Sequence, residues 1–317
     1  MKPPEPIRLF LDSGAFSAWK QRQTIDVRNY IKFVREAEPW IAIYANLDVI
    51  PGRPDRVRTT AVAEASATQS YRNLQIMKDA GLKPLPVFHQ GERFHWLEKM
   101  LQEGEDYIGV STAKNLPDDV QRRWLDDFFR EVSDKQGRPL IRVHGFGSAH
   151  VRLLRRYPFH SVDSAGWSIA GAYGKIYVPP YRDGKPDWLG DPEMTTVSGR
   201  ALQSRYAQAR AFETLNARGL GQVVRCFLER EVGINLDMAR CSAAERHSAL
   251  ATYYVRMSAA VKDDLTFYFS STYDAGACQI LLAAGARHHL LSYWRLRKRK
   301  PEVLMDYVMH GKVGDGR

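Results

Sequence analysis

The feature that most constrains this chain is an alternation. Short apolar runs end in an acid or a glycine, and each is followed by a stretch with helical spacing. It is plainest over residues 141–167, IRVHGFGSAHVRLLRRYPFHSVDSAGW. The run 140–143 breaks at His144-Gly145-Phe146-Gly147. Val151, Leu153 and Leu154 then alternate with Arg152, Arg155 and Arg156 as a basic amphipathic helix, and a second run closes on an acid, Phe159-His160-Ser161-Val162-Asp163. That pattern predicts strand, helix, strand. In parallel α/β folds the loops at the carboxyl ends of strands converge on one face, which makes Asp163 the first candidate for a working residue.

Taken in order, the chain repeats the theme. A strand is predicted over 7–11, ending in Asp12-Ser13-Gly14-Ala15-Phe16, with a helix capped by Asp26 that turns Val27, Tyr30, Ile31 and Val34 inward. A strand at 41–47 ends in Asp48, a helix over 59–80 stops at Gly81, and a strand at 84–88 ends in His89-Gln90-Gly91. A helix at 94–101, a strand at 107–111 and a helix at 118–132 bring the count to six βα units at Asp163. Such a run predicts an α/β fold of the (β/α)8, TIM-like type, with a doubly wound sheet as the alternative. Two further strands, at 265–269 and 288–291, flank a helix at 275–284. Residues 165–262 read differently, with Gly/Pro-rich loops over 177–192 and helices at 200–217 and 243–261. The expected division is therefore 1–164 for six βα units, 165–262 for a mostly helical insertion, and 263–317 for the last two strands and a basic tail.

A chain of 317 residues is long enough to bury a full core. Lys and Arg exceed Asp and Glu by 46 − 36 = 10, a balance that suits a polyanionic partner as well as it suits a generic basic surface. Cys226, Cys241 and Cys278 are too far apart for a disulfide framework or a zinc knuckle. No apolar run approaches the ~18 residues of a membrane helix, and the N-terminal run is too short for a signal peptide. A cytoplasmic protein is expected, with no cofactor.

The predicted strand ends can be set side by side: Asp12, Asp48, Gln90, Gly109, His144 and Asp163. Any one Asp there is ordinarily a helix cap or turn residue, but capping does not explain why all of them share one face. In order and spacing this set resembles the tRNA-guanine transglycosylases. Asp12-Ser13-Gly14-Ala15-Phe16 looks like the family's aspartate–serine–glycine–glycine–aromatic motif. Gln90-Gly91 and Gly109-Val110 resemble its glutamine–glycine and glycine–leucine pairs, and Gly145-Phe146-Gly147 followed by Ser161-Val162-Asp163-Ser164 resembles its nucleophile strand. The match covers residues 7–167 and is nearest the phage and bacterial branch that inserts 7-deazaguanines into DNA; for a phage protein, the compartment is the host cytoplasm.

Two departures stand out. The family's C-x-C-x-x-C zinc cluster has no counterpart here, so no metal is expected. The family also places two strands before its aspartate–serine–glycine strand, whereas six residues precede Ile7 here. Residues 283–294 resemble the segment around the family's second strand, which implies a circular permutation in which the C-terminal strands complete the barrel.

The resemblance implies that Asp163 attacks C1′ of the sugar and that Asp12 handles the proton as guanine leaves and a new base enters. Two carboxylates in one pocket push their pKa values apart, so one stays ionised while the other holds a proton. Asp48 suits the N–H donors of a guanine-like base, and the Gln90 amide and Gly109 N–H suit its O6. Ser13 belongs to the same base-binding motif, and Phe16 and His144 are expected to stack on the base. A base in a duplex has to be flipped or presented single-stranded to reach such a pocket. Arg152, Arg155 and Arg156, with Arg295, Arg297, Lys298, Arg299 and Lys300, are expected to hold phosphates. The expected partners are thus DNA and a free 7-deazaguanine base of the preQ0 type. A tRNA-guanine transglycosylase and a non-catalytic nucleic-acid-binding barrel are the alternatives.

Overall fold

Apolar runs of four to six residues that cannot bury themselves as isolated strands are stable once laid side by side under a helical cover. The computed structural model describes residues 6–52, 59–113, 116–198, 208–261, 264–271 and 275–311. In it the strands are β1 (Arg8–Asp12), β2 (Ile41–Tyr44), β3 (Val87–His89), β4 (Tyr107–Ser111), β5 (Arg142–Phe146) and β6 (Ser161–Ser164). They continue as β7 (Lys175–Val178), β8 (Tyr181–Arg182), β9 (Lys185–Pro186), β10 (Glu193–Thr196), β11 (Thr266–Ser270) and β12 (His288–Ser292).

Eight of these form one sheet in the order β2-β1-β12-β11-β6-β5-β4-β3, every neighbouring pair parallel. The sheet curls until its two end strands meet. Beyond β2, Ala45 bridges Leu85 in parallel, the Asn46 N–H donates to the Leu85 carbonyl at 2.7 Å, and the Leu85 N–H donates to that of Tyr44 at 2.8 Å. The arrangement is a TIM-like α/β fold. The pairing expected between residues 7–11 and 288–292 is present, with Arg8 opposite His288 through to Asp12 opposite Ser292.

Side chains alternate across a strand, so residues two apart share a face. Phe10, Ala45, Leu85, Val87, Tyr268 and Leu290 pack as one cluster inside the curl, with Ile43, Tyr107 and Phe146 against it. That cluster fixes the direction of the strand ends. If Phe10 points in, so does Asp12; if Tyr268 points in, so does Ser270.

Local signals set the helices. Asp26 caps Val27–Ala37 by accepting the Asn29 N–H at 2.9 Å, and Thr59 caps Thr60–Asp79 through the Val62 N–H. The latter helix runs to Gly81, whose φ of 80° is the left-handed conformation expected at such an end. Helices His95–Gln102 and Asp118–Glu131 fall within a residue of their predicted bounds.

The region after β6 departs from its prediction. Residues 177–192 are not loop throughout, because β7 pairs antiparallel with β10, and β8 with β9. Four short strands with glycine and proline between them carry too little alternation to be told from loop. Of the helix expected over 200–217, Phe212–Ala217 is helical, and residues 199–207 lie outside the described residues. Helix Ala243–Val261 matches its prediction, and β11 is the next element described after it. Its Leu250, Tyr253 and Met257 share one continuous apolar core with Phe88, Ile108 and Val162 of the sheet, so the inserted region is built onto the sheet's own core. Among the described residues, no helix is long and apolar enough to cross a membrane.

Candidate active site

Asp12, at the end of β1, lies among like charges. Burial, with the carboxylates of Asp48 and Asp163, pushes its pKa up to about 8, against the opposing pull of the Gly14 and Ser13 N–H groups. A carboxylic acid that keeps its proton at neutral pH is a proton donor in waiting. The glycine after it has a physical reason. Gly14 has φ 78°, and a Cβ there would lie 2.4 Å from Trp294 Cβ and 2.7 Å from the Trp294 nitrogen. Only glycine lets the turn after Asp12 pack on the short helix Tyr293–Leu296 that follows β12.

Asp163 on β6 is held as an acceptor. Its Oδ1 takes the Gly147 N–H at 2.7 Å, and its Oδ2 takes the Ser270 hydroxyl from β11 at 3.0 Å. His144 Nε2 stands 3.5 Å from Oδ1, too far for a good hydrogen bond, and has no partner of its own. The other ring nitrogen, Nδ1, is 2.6 Å from Ser161 Oγ, which is 2.6 Å from the Tyr107 hydroxyl. Burial lowers the His144 pKa although Asp163 opposes it, so the ring beneath the nucleophile candidate is neutral at neutral pH.

Asp48 joins the other two from beyond β2. Its Oδ1 accepts the Ser13 hydroxyl at 2.9 Å, and its Oδ2 lies 2.9 Å from His89 Nε2. Each carboxylate oxygen has two lone-pair sites, so the group still has acceptor capacity for a ligand's N–H donors. Phe16 projects from the helix Ala15–Lys20 that follows Asp12. It is 50% exposed and stacked on Trp19 with ring centroids 5.7 Å apart, and the Lys20 ammonium lies over its ring, 5.1 Å from the centroid. Trp19 is itself pinned by its Nε1–H to the Gly52 carbonyl at 2.6 Å.

Other predicted site residues are placed differently. The Gly109 N–H is not available to a base, because it donates to the Pro86 carbonyl at 2.8 Å within the sheet. What glycine provides is room: a Cβ there would lie 2.5 Å from the Phe146 ring. The Gln90 side chain is turned to backbone, accepting the Ala113 N–H at 3.0 Å and donating to the Val120 carbonyl at 3.4 Å, so it braces the loop after β4. His144 is 0% exposed, wedged between the Phe10 and Phe146 rings at 4.7 Å and 4.5 Å, and offers no face for stacking.

Of the cations expected to hold phosphate, Arg152 is bound in bidentate fashion to Asp191 at 2.7 Å, and Arg156 to Asp126 at 2.8 and 2.9 Å. Arg155 donates to the Leu189 carbonyl at 3.2 Å. Ion pairing across 30 or more residues is invisible in a local charge run. The second run differs. Arg295, Arg297, Lys298, Arg299 and Lys300 are exposed and begin directly after β12, at the edge of the face that carries Asp12. Arg297 lies over the Trp294 ring at 3.5 Å and donates to the Trp294 carbonyl.

Three contributors were absent from the sequence reading: Glu92, His89 as more than part of a motif, and Ser270. The signals were present. His89 shares an inward face with Val87, and Glu92 follows it by three residues across Gly91, whose φ is 103°. Among the described residues, no group of three or more His, Cys, Asp or Glu side chains is arranged to hold a metal ion. Compared with protein-family models and with curated proteins, the chain matches none.

Proposed function

We propose that this chain is a base-exchange transglycosylase, a pentosyltransferase that replaces guanine in DNA by a 7-deazaguanine of the preQ0 type. The observation that carries the reading is the pairing of two unlike carboxyl groups at one mouth. Asp163 is held as an acceptor by Gly147 and Ser270, and Asp12 has its pKa raised to about 8. Exchange of a base with retention needs a nucleophilic carboxylate and a second group that gives and then takes a proton. Asp163 attacks C1′ as the bond to N9 of guanine breaks, and Asp12 gives its proton to the departing base. The incoming base surrenders a proton to Asp12 and attacks C1′ from the side guanine left, releasing Asp163. The glycosidic bond broken is replaced by the one formed, so the exchange needs no external energy source.

Asp48 and Ser13 supply the wall that reads the base's N–H donors, and Phe16 offers a stacking surface. The parallel pairing of β1 with β12 supports a circular permutation relative to the family that the motifs resemble. The exposed cations Arg295, Lys298 and Lys300 after β12 suit a nucleic-acid backbone.

The test is mass spectrometry of DNA nucleosides from cells that make the chain together with a deazaguanine source, with labelled-base incorporation into tRNA measured in parallel. Deazaguanine in DNA is the expected result. Label in tRNA alone would assign the other substrate, and DNA binding without exchange under several donor bases would make this a binding barrel. Asp163→Asn retains shape but loses the attacking charge, so exchange falls by at least about 10³-fold and no covalent DNA adduct appears on denaturing gels. An adduct in Asp163→Asn that is missing in Asp12→Asn would reverse the two roles.

A further inference from the structure

His89 is a buried side chain that the exchange chemistry does not use. Its two ring nitrogens are bracketed by carboxylates: Nε2 is 2.9 Å from Asp48 Oδ2, and Nδ1 is 3.0 Å from Glu92 Oε1. Glu92 is folded back over the ring by the turn at Gly91, with its Oε2 accepting the His89 N–H at 3.1 Å and its own N–H donating to the His89 carbonyl at 3.1 Å. The His89, Asp48 and Glu92 side chains are 3%, 8% and 1% exposed. A ring with an acceptor-only group on each nitrogen satisfies both by donating twice, which only the imidazolium does. Burial alone would lower the His89 pKa, but the Glu92 and Asp48 carboxylates outweigh it and push it up to about 10.

We propose that His89 and Glu92 are a positioning pair. Glu92 holds the His89 imidazolium, and the imidazolium fixes the Asp48 carboxylate as the acceptor wall of the base pocket. The proposal rests on the transglycosylase reading and deepens it, because it assigns base discrimination to three buried residues. It also explains how the Asp48 carboxylate is held at this pocket without turning away: its charge is matched by a fixed cation. The charged and polar groups that face this unit are Glu92 and Asp48 on the ring, Ser13 on Asp48, the buried Tyr30 phenol near Asp48, and the Asp12 carboxyl, itself beside Asp163. A carboxylate held this way favours a base edge with two adjacent N–H donors, as in guanine, over hypoxanthine, which lacks the second.

The test uses free guanine and the full chain. Nitrogen-15 spectra of the histidine rings, assigned by His89→Gln, should show both His89 ring nitrogens protonated at pH 6, 7.5 and 9. An unprotonated nitrogen at pH 7.5 in the wild type overturns the proposal without reference to any variant. Guanine affinity is then measured calorimetrically for wild type and Glu92→Gln at pH 6 and pH 9. Without the second carboxylate the ring loses its proton within this window, so the variant should bind within about threefold of wild type at pH 6 and at least about tenfold more weakly at pH 9. Taking the ratio at each pH cancels the titration of Asp12, which both proteins share. His89→Gln should weaken guanine by at least about tenfold at both pH values and shrink the preference over hypoxanthine. A Glu92→Gln ratio that is the same at the two pH values marks a merely structural role and overturns this proposal alone. Failure of the wild type to bind guanine overturns the transglycosylase reading and this proposal with it.

Discussion

At the scale of the residue, Asp12 bears on stability and, under the proposed exchange, on rate. Its pKa is about 8 in the folded chain against 3.8 for the free side chain. Between those values the folded chain keeps a proton that the unfolded chain has lost, so this group's contribution to stability declines as pH rises from near 3.8 and levels off above about 8. Asp12→Asn removes the ionisation while keeping the shape. It should therefore abolish exchange yet melt at a higher temperature than wild type, by about 1–2 kcal/mol or a few degrees. The gap should be small near pH 4, grow to about pH 8 and stay flat beyond, as measured by thermal melts across pH. A variant less stable than wild type at pH 8 would mean that Asp12 is not held against its own charge. Wild-type exchange should in turn fall above pH 8, as the acid that protonates the leaving base is lost.

At the scale of the element, the site depends on a turn and a helix that touch. The turn after β1 and the short helix Tyr293–Leu296 after β12 meet at Gly14 and Trp294, with no space for a methyl group. Gly14→Ala should cost about 2–4 kcal/mol and reduce exchange, because relief of the clash moves Asp12 and Ser13. Gly81→Ala is the control. Its φ is also near 80°, but nothing lies within 4 Å of the added carbon, so only the backbone term of about 1 kcal/mol remains. Chemical-denaturation midpoints of the two variants separate steric from conformational cost. Equal losses would mean that the contact with Trp294 is easily relaxed.

At the scale of the whole molecule, an excess of ten positive charges is not spread evenly in its availability. The arginines of the helix Val151–Arg156 are engaged by Asp191, Asp126 and the Leu189 carbonyl, while Arg295, Lys298 and Lys300 lie exposed just after β12, whose Ser292 is opposite Asp12. DNA affinity should fall steeply with salt, by close to one unit of log–log slope for each phosphate neutralised. Replacing Lys298 and Lys300 by Gln should lower the slope by about 1–2, whereas Arg152→Gln should leave it unchanged. Binding isotherms at a series of salt concentrations give both. A slope that responds to Arg152 and not to the lysines would move the backbone track to the other side of the mouth.

The sequence by itself determined the elements and their order. Apolar runs, the caps at Asp26 and Thr59 and the stop at Gly81 act over a few residues, and they are legible for that reason. It also determined that Asp12 and Asp163 share a face, because alternation along a strand and parallel order leave little choice, whereas Asp48 lies past the end of β2, where alternation no longer applies. What only the tertiary structure decided depends on partners far apart in the chain. The bracket of His89 by Asp48 spans 41 residues, and the hydroxyl of Ser270 reaches Asp163 across 107. The Gly109 N–H is consumed by the sheet and Arg152 by an acid 39 residues away, and neither loss leaves a mark on the local sequence. A residue's type states which bonds it is able to make. Which of them it makes depends on what the fold brings within about 3 Å, and on how far burial raises the cost of leaving a polar group unmatched.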